Sequence, residues 1–392
     1  MTSDGRAELL RGLFQAGVNA VSGYEATRRY LMATQLPDKV YLVALGKAAD
    51  SMARGALSVI GDRLVSGLVV TKHHHLSDEL SSNNRLTCLE SGHPVPDDAS
   101  LRAGSELQDF VQSVPADQLL IFLVSGGTSA LVEALNDGLG LSELESETDK
   151  LLASGAPIGE MNKHRRTMSQ IKGGKLAKHV RCSVLQLLIS DVPGDKLGDI
   201  GSGLLVPDVQ TGMAPDMPVW SRVNTNIIAS SAIAQSAVSA AAVQQGLVVQ
   251  QSSGNLHGNM PDVIKRVEGI LGAVDAAKGV YIWGGEPTIV LPSEPGRGGR
   301  NQHLALALAQ TMALHKNASL LVCGTDGTDG PTNDAGGLVS EITIAAATQA
   351  KLDIAIYLEN ADAGSCLEKL GCLVTTGPTG TNVMDLAIAV LE

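Results

Sequence analysis

The sequence predicts an α/β protein in which helices cover mainly parallel sheets. Three short apolar runs, VYLVALG, LLIFLVSGG and SLLVCGTDG, end in glycine or polar residues. The first two are followed by helical periodicity in KAADSMARGAL and TSALVEAL. Continuous apolar strands that alternate with helices are typical of a parallel sheet buried on both faces. Ligands of such sheets bind at the carboxyl ends of the strands, and the unusual motifs of this chain lie there.

The length predicts two domains. A chain of 392 residues exceeds the size at which one core usually stops growing. The segment VPDVQTGMAPDMPVWSRVNT, residues 206–225, is rich in proline and turn residues, which indicates either a linker or a surface excursion. We therefore expect domains at 1–225 and 226–392.

Charge and cysteine usage limit the partners and the compartment. A net charge of -12 and a pI of about 5.2 disfavour nucleic acid and anionic membranes, and favour small molecules. The five cysteines are scattered and form no CxxC motif, as expected in a reducing compartment. No apolar run reaches transmembrane length. We expect a cytoplasmic protein, and the sequence leaves open whether it forms a homodimer.

Two strand ends carry groups suited to anions. Lys47 in ALGKAAD follows a strand at a predicted helix start, where an ammonium would add to the positive end of the helix. The alternative is a surface lysine. LVSGGTSALV is a glycine turn whose backbone N–H groups and hydroxyls could cradle phosphate, or a plain capped turn. The residues of this turn are Ser125, Gly126, Gly127, Thr128 and Ser129.

An arginine loop gives the sharpest anion-binding signal. GRGGRNQHLALALAQ bears Arg297 and Arg300 on glycines, then Asn301 as the expected N-cap of a helix. A guanidinium group matches carboxylate or phosphate oxygens bidentately. We predict that Arg297, Arg300 and Asn301 bind substrate, the alternative being a mobile surface loop.

Carboxylates follow two further strands. Asp191 ends the strand in LLISDVPGD, with Asp195 four residues later, and CGTDGTDGPTNDAGG (323–337) holds Asp326 and Asp329. Magnesium takes oxygen ligands and is commonly held by one or two carboxylates plus substrate phosphates. We predict Asp191, Asp326 and Asp329 as metal ligands. The alternative is that they cap turns.

Two basic segments are weaker signals. Residues 163–179, KHRRTMSQIKGGKLAKH, predict a basic helix interrupted by two glycines. It is either a solvated face or a wall of an anion pocket formed by Lys163, Arg165 or Lys172. KHHHLSD (72–78) lacks the spacing of zinc ligands and predicts a polar loop.

Together, strand-end carboxylates, a glycine and hydroxyl turn, a lysine and an arginine loop are the groups that phosphoryl transfer needs, because that chemistry depends on positioning and charge neutralisation. The chain also resembles the class II (MOFRL-type) glycerate kinases, in order and over essentially its whole length. The resemblance lies in these segments: VALGKAAD, HPVPDDASLRAG, LVSGGTSAL, IKGGKLA, ISDVPGD, GGEPTIVLP, GRGGRNQHLALALA, GTDGTDGPTNDAGG and TTGPTGTNVMDLAI.

This resemblance implies ATP-dependent phosphorylation of D-glycerate at carbon two, giving 2-phosphoglycerate, with Mg²⁺. It implies a Rossmann-like N-terminal domain and a smaller MOFRL-type C-terminal domain, with the active site in the cleft between them. Lys47 and Arg300 match residues regarded as functional in the family. PTNDAGG stands where PTDAAG is usual, which leaves Asn333 and Asp334 as alternatives for the family's aspartate.

Our hypothesis assigns catalysis to Lys47, Arg300 and Asp326. The turn Ser125 to Ser129 would bind the ATP phosphates, and Lys47 and Arg300 would neutralise the transferring phosphoryl group or bind the glycerate carboxylate. Asp191 or Asp326 would accept the hydroxyl proton. Two alternatives remain. A hydroxypyruvate reductase would need a GxGxxG turn, which no strand here precedes. A non-catalytic sensor of sugar phosphates would leave Arg300 and the acidic loop, residues 323–337, unexplained.

Overall fold

The computed structural model describes residues 1–153, 158–273 and 276–392. The chain divides into two compact units, each with its own sheet. The parallel-sheet unit is Ser22–Ala229, and the mixed-sheet unit combines Met1–Val21 with Ser230–Glu392. The division differs from the predicted boundary because helix α1 (Ser3–Val21) packs with the C-terminal part of the chain.

The parallel-sheet unit contains the elements α2 (Gly23–Met32), β1 (Val40–Leu45), α3 (Ala49–Ile60), β2 (Leu64–Lys72), α4 (Asp78–Ser81), β3 (Leu86–Ser91), α5 (Asp98–Ser113), β4 (Leu119–Val124), α6 (Thr128–Leu131), α7 (Leu141–Ala153), α8 (Ile158–Met168), β5 (Ser183–Ile189) and β6 (Val223–Ala229). Its six strands pair in parallel in the order β3-β2-β1-β4-β5-β6. This is the strand order of the Rossmann fold, so the predicted Rossmann-like domain is confirmed.

One of the two alternatives for residues 206–225 and the helix predicted for residues 163–179 were wrong. The segment 206–225 is no linker, because Met213 is buried in the core of the unit and Trp220 packs against that core. Trp220 Nε1 also donates a hydrogen bond to Ala214 O at 2.8 Å. The basic segment 163–179 is not one interrupted helix. Helix α8 ends at Met168, and Gly173 and Gly174 take φ values of +61° and +80°, which turn the chain into a short 3₁₀ helix.

The mixed-sheet unit contains α1 and the elements α9 (Ser231–Gln244), β7 (Val249–Asn255), β8 (Gly258–Asn259), α10 (Met260–Leu271), β9 (Gly279–Gly285), β10 (Pro287–Thr288), α11 (Arg300–Ala307), α12 (Ala309–Met312), β11 (Ala318–Gly324), β12 (Gly336–Ser340), α13 (Thr343–Gln349), α14 (Ile354–Glu359), α15 (Ala363–Lys369), β13 (Leu373–Val374) and β14 (Asp385–Leu391). The strand order of its main sheet is β13-β12-β11-β14-β9-β7. Strands β8 and β10 form a separate parallel pair.

The prediction of mainly parallel sheets was wrong for this unit. Strand β7 pairs in parallel with β9, and the other four pairings of the main sheet are antiparallel. The cause is visible at the acidic loop, since residues 325–335 contain no helix. A parallel return needs a crossover of about a dozen or more residues, usually a helix, so β12 returns antiparallel to β11.

None of the described helices combines the length and the apolar character that crossing a bilayer requires. All five cysteines lie in the described ranges, and none of them forms a disulfide.

Candidate active site

The strand order of the parallel-sheet unit reverses between β1 and β4, and the predicted phosphate-binding residues follow these two strands. Lys47 follows β1, and Ser125 follows β4. Lys47 N donates to Gly126 O at 2.9 Å, and Ala48 N donates to Ser125 Oγ at 3.0 Å. In open α/β sheets, the crevice at such a reversal is where ligands bind. The structure therefore brings Lys47 and the glycine turn together at the expected edge.

Two side chains lie beside the backbone of Gly127. Its φ of +86° lies in the left-handed region, which a glycine adopts without strain. A Cβ atom added there would lie 3.0 Å from Lys47 Cγ and 3.1 Å from His93 Cδ2. The backbone of Gly127 is thus flanked by a lysine and a histidine. The histidine was not among the predicted site residues.

Asp191 lies beside Gly126 of the same turn. A Cβ atom on Gly126 would overlap the Asp191 carboxylate, so only glycine permits this approach. Asp191 follows strand β5, which pairs with β4. One predicted metal ligand therefore lies beside the predicted phosphate turn.

The hydroxyls of the turn serve the protein itself. Ser125 Oγ is a partner of Ala48 N and of Leu45 O, and Thr128 Oγ1 donates to Ser125 O at 2.8 Å. Ser129 Oγ lies 2.6 Å from Ser202 Oγ. These contacts hold the turn in shape, so the backbone N–H groups, more than the hydroxyls, suit a bound phosphate.

A buried ion pair supports the end of the turn. Lys172 Nζ contacts a carboxylate oxygen of Glu133 and donates to Ser129 O at 2.8 Å. The two residues are 1% and 0% exposed. Both line a cavity of about 290 Å³ together with Ser129 and Arg165. Arg165 and Lys172 thus line a cavity, in which the Lys172 ammonium is already paired with a carboxylate.

In the mixed-sheet unit, Arg300 is held by two carboxylates. Its Nε and Nη2 donate to Asp385 Oδ2 and Oδ1 at 2.6 and 3.1 Å, and its Nη1 lies 2.8 Å from Glu286 Oε1. Burial lowers the pKa of Arg300, but the hydrogen bonds and charge of Asp385 outweigh it and raise that pKa above its usual value. The guanidinium group is therefore permanently charged and fixed in orientation.

Asn301 does not cap its helix, which corrects our prediction. The N-cap position of α11 is Gly299. The carboxylate of Asp329 performs the capping, because it accepts from Asn301 N at 3.0 Å and from Gln302 N at 2.7 Å. Asn301 Nδ2 donates to Asp385 Oδ1 at 3.0 Å. The side chain predicted to bind substrate thus helps to orient the partner of Arg300.

Both oxygens of Asp329 are engaged by backbone amides, and the residue is 2% exposed. Burial raises its pKa to about 7, although the two amides favour the charged form. Asp326 is less buried, and its Oδ1 accepts from Thr328 N and Oγ1 at 3.0 Å each. Among the described residues, no group of three or more His, Cys, Asp or Glu side chains could hold a metal ion.

Arg297 is tied into the surface of its unit. Its Nη2 contacts Asp334 Oδ2 and its Nη1 contacts Glu368 Oε2, each at 2.8 Å. Asp334 also accepts from Thr375 Oγ1 at 2.8 Å. Arg297 and Asp334 thus form a structural network that connects the arginine loop to the acidic loop.

Comparisons with known proteins show the family of this chain. A family model described as a domain of unknown function (DUF4147) matches residues 9–254, and the MOFRL family model matches residues 279–385. D-glycerate 2-kinase of Thermotoga maritima is 34% identical over 383 residues, which cover 90% of this chain and 91% of the relative. The chain belongs to the MOFRL-type glycerate 2-kinase family.

The chain is also similar to a solved structure and to a relative with a different name. The crystal structure of a glycerate kinase from Thermotoga maritima matches with a TM-score of 0.90 at 32% identity, covering 99% of this chain and 100% of that one. A protein of Agrobacterium vitis with the provisional name hydroxypyruvate reductase is 32% identical over 416 residues, or 97% of this chain and 93% of its own.

Sequence reasoning missed four residues of this glycerate 2-kinase family member. His93 and Asp385 lie within HPVPDDASLRAG and TTGPTGTNVMDLAI, and Glu286 lies within GGEPTIVLP. These segments carried the family resemblance, so their polar residues could have been proposed. Glu133 had no such signal, because its partner Lys172 lies 39 residues away in the sequence.

Proposed function

We propose that this chain transfers a phosphoryl group from ATP to the 2-hydroxyl of D-glycerate. The observation that carries the proposal is the group formed by Lys47, the glycine turn and Asp191 at the point where the strand order reverses. A cation, accessible backbone amides and a carboxylate together suit a nucleotide phosphate with its magnesium ion. The name of the Thermotoga relative supports the acceptor and the position.

In the parallel-sheet unit, Lys47 would neutralise charge on the phosphates, and the backbone of Gly126 to Ser129 would bind their oxygens. Asp191 fits Mg²⁺ as a carboxylate ligand, because magnesium is commonly held by one or two carboxylates plus substrate phosphates. The ion would neutralise charge that develops during phosphoryl transfer. Asp329 is the least suited of the predicted ligands, because both of its carboxylate oxygens accept hydrogen bonds from backbone amides of its own unit.

In the mixed-sheet unit, Arg300 would bind the glycerate carboxylate. Asp385 occupies the Nε edge of the guanidinium, and Glu286 occupies Nη1. The side chain of Glu286 is 43% exposed, whereas that of Asp385 is 2% exposed. A substrate carboxylate would therefore replace Glu286 and leave Asp385 in place. Asp326, which lies in the same unit as Arg300, would accept the proton of the 2-hydroxyl.

The test is a coupled assay. The purified chain is incubated with ATP, Mg²⁺ and D-glycerate, and the product is detected through enolase and pyruvate kinase without phosphoglycerate mutase. Enolase accepts 2-phosphoglycerate and not the 3-isomer, so a signal without mutase establishes transfer to carbon two. A signal that requires mutase would overturn the position, and silence in both assays would overturn the activity.

Two variants test whether Lys47 and Asp326 take part in the reaction. Lys47→Met and Asp326→Ala are each expected to lower kcat by at least about 100-fold, because each removes a charge that the transition state needs. Lys178→Met removes an exposed lysine of the same unit as Lys47 and is the matched control. Full turnover by Asp326→Ala would remove the acidic loop from the mechanism.

Hydroxypyruvate reduction is the second candidate, because a relative carries that name and Rossmann sheets often bind dinucleotides. The turn after β1 reads GKAAD and lacks GxGxxG, which weighs against it. Oxidation of NADH or NADPH by hydroxypyruvate, followed by absorbance, decides between the two.

The unpaired cysteines support a reducing, cytoplasmic location.

A further inference from the structure

His93 belongs to the surroundings of the glycine turn. It follows strand β3 and is half-buried. Its Nε2 lies 3.2 Å from the point that a Cβ atom of Gly127 would occupy, and Lys47 Cγ lies 3.0 Å from the same point. The imidazole and the lysine therefore flank one face of the turn.

The His93 ring makes no hydrogen bond with the part of the chain that the structure describes. His73, an exposed histidine of the same unit, shows the contrast, because its Nε2 lies 2.9 Å from Asp97 Oδ2. Buried polar groups usually have a partner in the protein or in ordered water, and the half-buried ring of His93 has none within the described protein but lies beside Gly127. The side chain of His93 is thus placed to bind something that enters beside Gly127.

The surrounding charge indicates what would enter. Burial, Lys47 and Lys72 lower the pKa of His93 to about 4, so the ring is neutral at pH 7. A neutral imidazole donates one N–H and accepts at its other nitrogen. Because Lys47 and Lys72 both add positive potential at the ring, the ligand would be an anion, and a neutral ring adds a donor without a third positive charge.

We propose that His93 is a phosphate-contacting residue of this site, donating its Nε2–H to an oxygen of the phosphate that Lys47 also contacts. The identity of the ligand as a nucleotide rests on the proposed function, whereas the chemistry recognised is a phosphate oxygen. His93 would contact the phosphate beside Gly127, whereas the Asp191 carboxylate lies beside Gly126.

The first test observes the ring directly in the wild-type protein. Histidine side chains are labelled with ¹⁵N and ¹³C, and the His93 signal is identified by its loss in His93→Gln. Inorganic phosphate and then ATP with Mg²⁺ are titrated at pH 7.5. We expect a saturable shift of the His93 signal with both ligands and no shift of His73. An unmoved His93 signal would overturn the proposal.

The second test uses variants that distinguish the two ring nitrogens. The amide nitrogen of Gln superposes on Nε2 and that of Asn on Nδ1, so His93→Gln keeps the donor and His93→Asn misplaces it. We expect His93→Leu and His93→Asn to raise KM for ATP by about tenfold, as for loss of one hydrogen bond to a charged group. His93→Gln should stay within about threefold. KM for glycerate should not change in any of them.

The outcomes separate this proposal from the proposed function. If the wild type binds phosphate through His93 but does not phosphorylate glycerate, the phosphate site stands and the kinase assignment fails. If glycerate is phosphorylated while His93→Leu keeps the wild-type KM for ATP, the assignment stands and the role of His93 fails. A rise in the KM for glycerate alone would also overturn it, because it would place His93 at the acceptor.

Discussion

At the scale of single residues, the orientation of Arg300 depends on a side chain that never needs to touch substrate. Asp385 is 1% exposed and accepts hydrogen bonds from two nitrogens of Arg300 and from Asn301 Nδ2. A fixed guanidinium binds a carboxylate with less loss of side-chain entropy than a mobile one. We therefore regard Asp385 as a positioning residue.

We predict that Asp385→Asn lowers kcat/KM for glycerate by about 100-fold, since two hydrogen bonds to a charged group are weakened. The effect should vanish in an Arg300→Ala background, because Asp385 acts through Arg300. The measurement is a double-mutant cycle on kcat/KM. Additive losses in the double variant would show that Asp385 has a separate role in the fold or in catalysis.

Asp329 makes stability depend on pH. In the folded chain it keeps its proton up to a pH of about 7, whereas an unfolded aspartate releases it at a pH of about 4. Its contribution to stability is present below pH 4 and is lost as the pH rises to 7, at about 1.4 kcal/mol per pH unit.

Asp329→Asn removes this titration. We predict that the free energy of unfolding of the wild type, minus that of the variant, decreases from pH 5 to pH 7. The measurement is urea unfolding followed by Trp283 fluorescence, which reports on the mixed-sheet unit that contains Asp329. A Trp220→Phe background removes the other tryptophan. A constant difference across this range would contradict the raised pKa.

At the scale of elements, the pair Lys172 and Glu133 joins the segment after α8 to the end of the glycine turn. Breaking a buried ion pair by removing one partner costs about 3–5 kcal/mol, because the other charge is left unpaired. We predict such a loss in the unfolding free energy for Lys172→Met, measured by Trp220 fluorescence in a Trp283→Phe background.

Two further variants control this result. Glu133→Leu combined with Lys172→Met should recover most of the loss, since no buried charge remains. Lys178→Met, at an exposed lysine nearby, should change stability by less than about 0.5 kcal/mol. If the double variant were as unstable as the single one, packing and not charge would explain the effect.

The elements also show what the sequence could predict. Strands β1, β4, β5 and β11 were expected, because each is a continuous apolar run that ends in glycine or a polar residue. The antiparallel direction of β12 was not expected, because a strand buried on both faces has the same composition in either direction.

The site residues that could be predicted also lie next to apolar strands. Lys47 and the glycine turn could be predicted because each adjoins a strand, and parallel strands place their carboxyl ends at one edge. The partners of Arg300 and Lys172 could not be predicted in this way. Asp385 lies 85 residues from Arg300, and no periodicity connects positions so far apart.

At the scale of the whole molecule, the first helix completes a unit built from the other end of the chain. Helix α1 packs against α9, β11 and β14. Gly17 is buried, and a Cβ atom there would lie 2.8 Å from Val238 Cγ2 and 3.2 Å from Leu386 Cδ1. Gly12 is exposed in the same helix, with nothing within 4 Å of such an atom.

This contrast gives a matched pair of variants. We predict that Gly12→Ala raises the unfolding free energy of the mixed-sheet unit by about 1 kcal/mol, through helix propensity. Gly17→Ala should lower it by about 1–3 kcal/mol, because the added methyl group crowds the core. Trp283 fluorescence in urea measures both. Equal stabilisation by the two variants would mean that α1 does not pack tightly.

The docking of α1 has a consequence for biosynthesis. The ribosome makes α1 before the parallel-sheet unit, and only much later makes the strands β11 and β14 that cover the apolar face of this helix. At about 5–20 residues per second, the delay is on the order of tens of seconds. During that time the helix presents Leu10, Leu13 and Phe14, which are buried in the finished protein, and nascent-chain chaperones have a defined segment to protect.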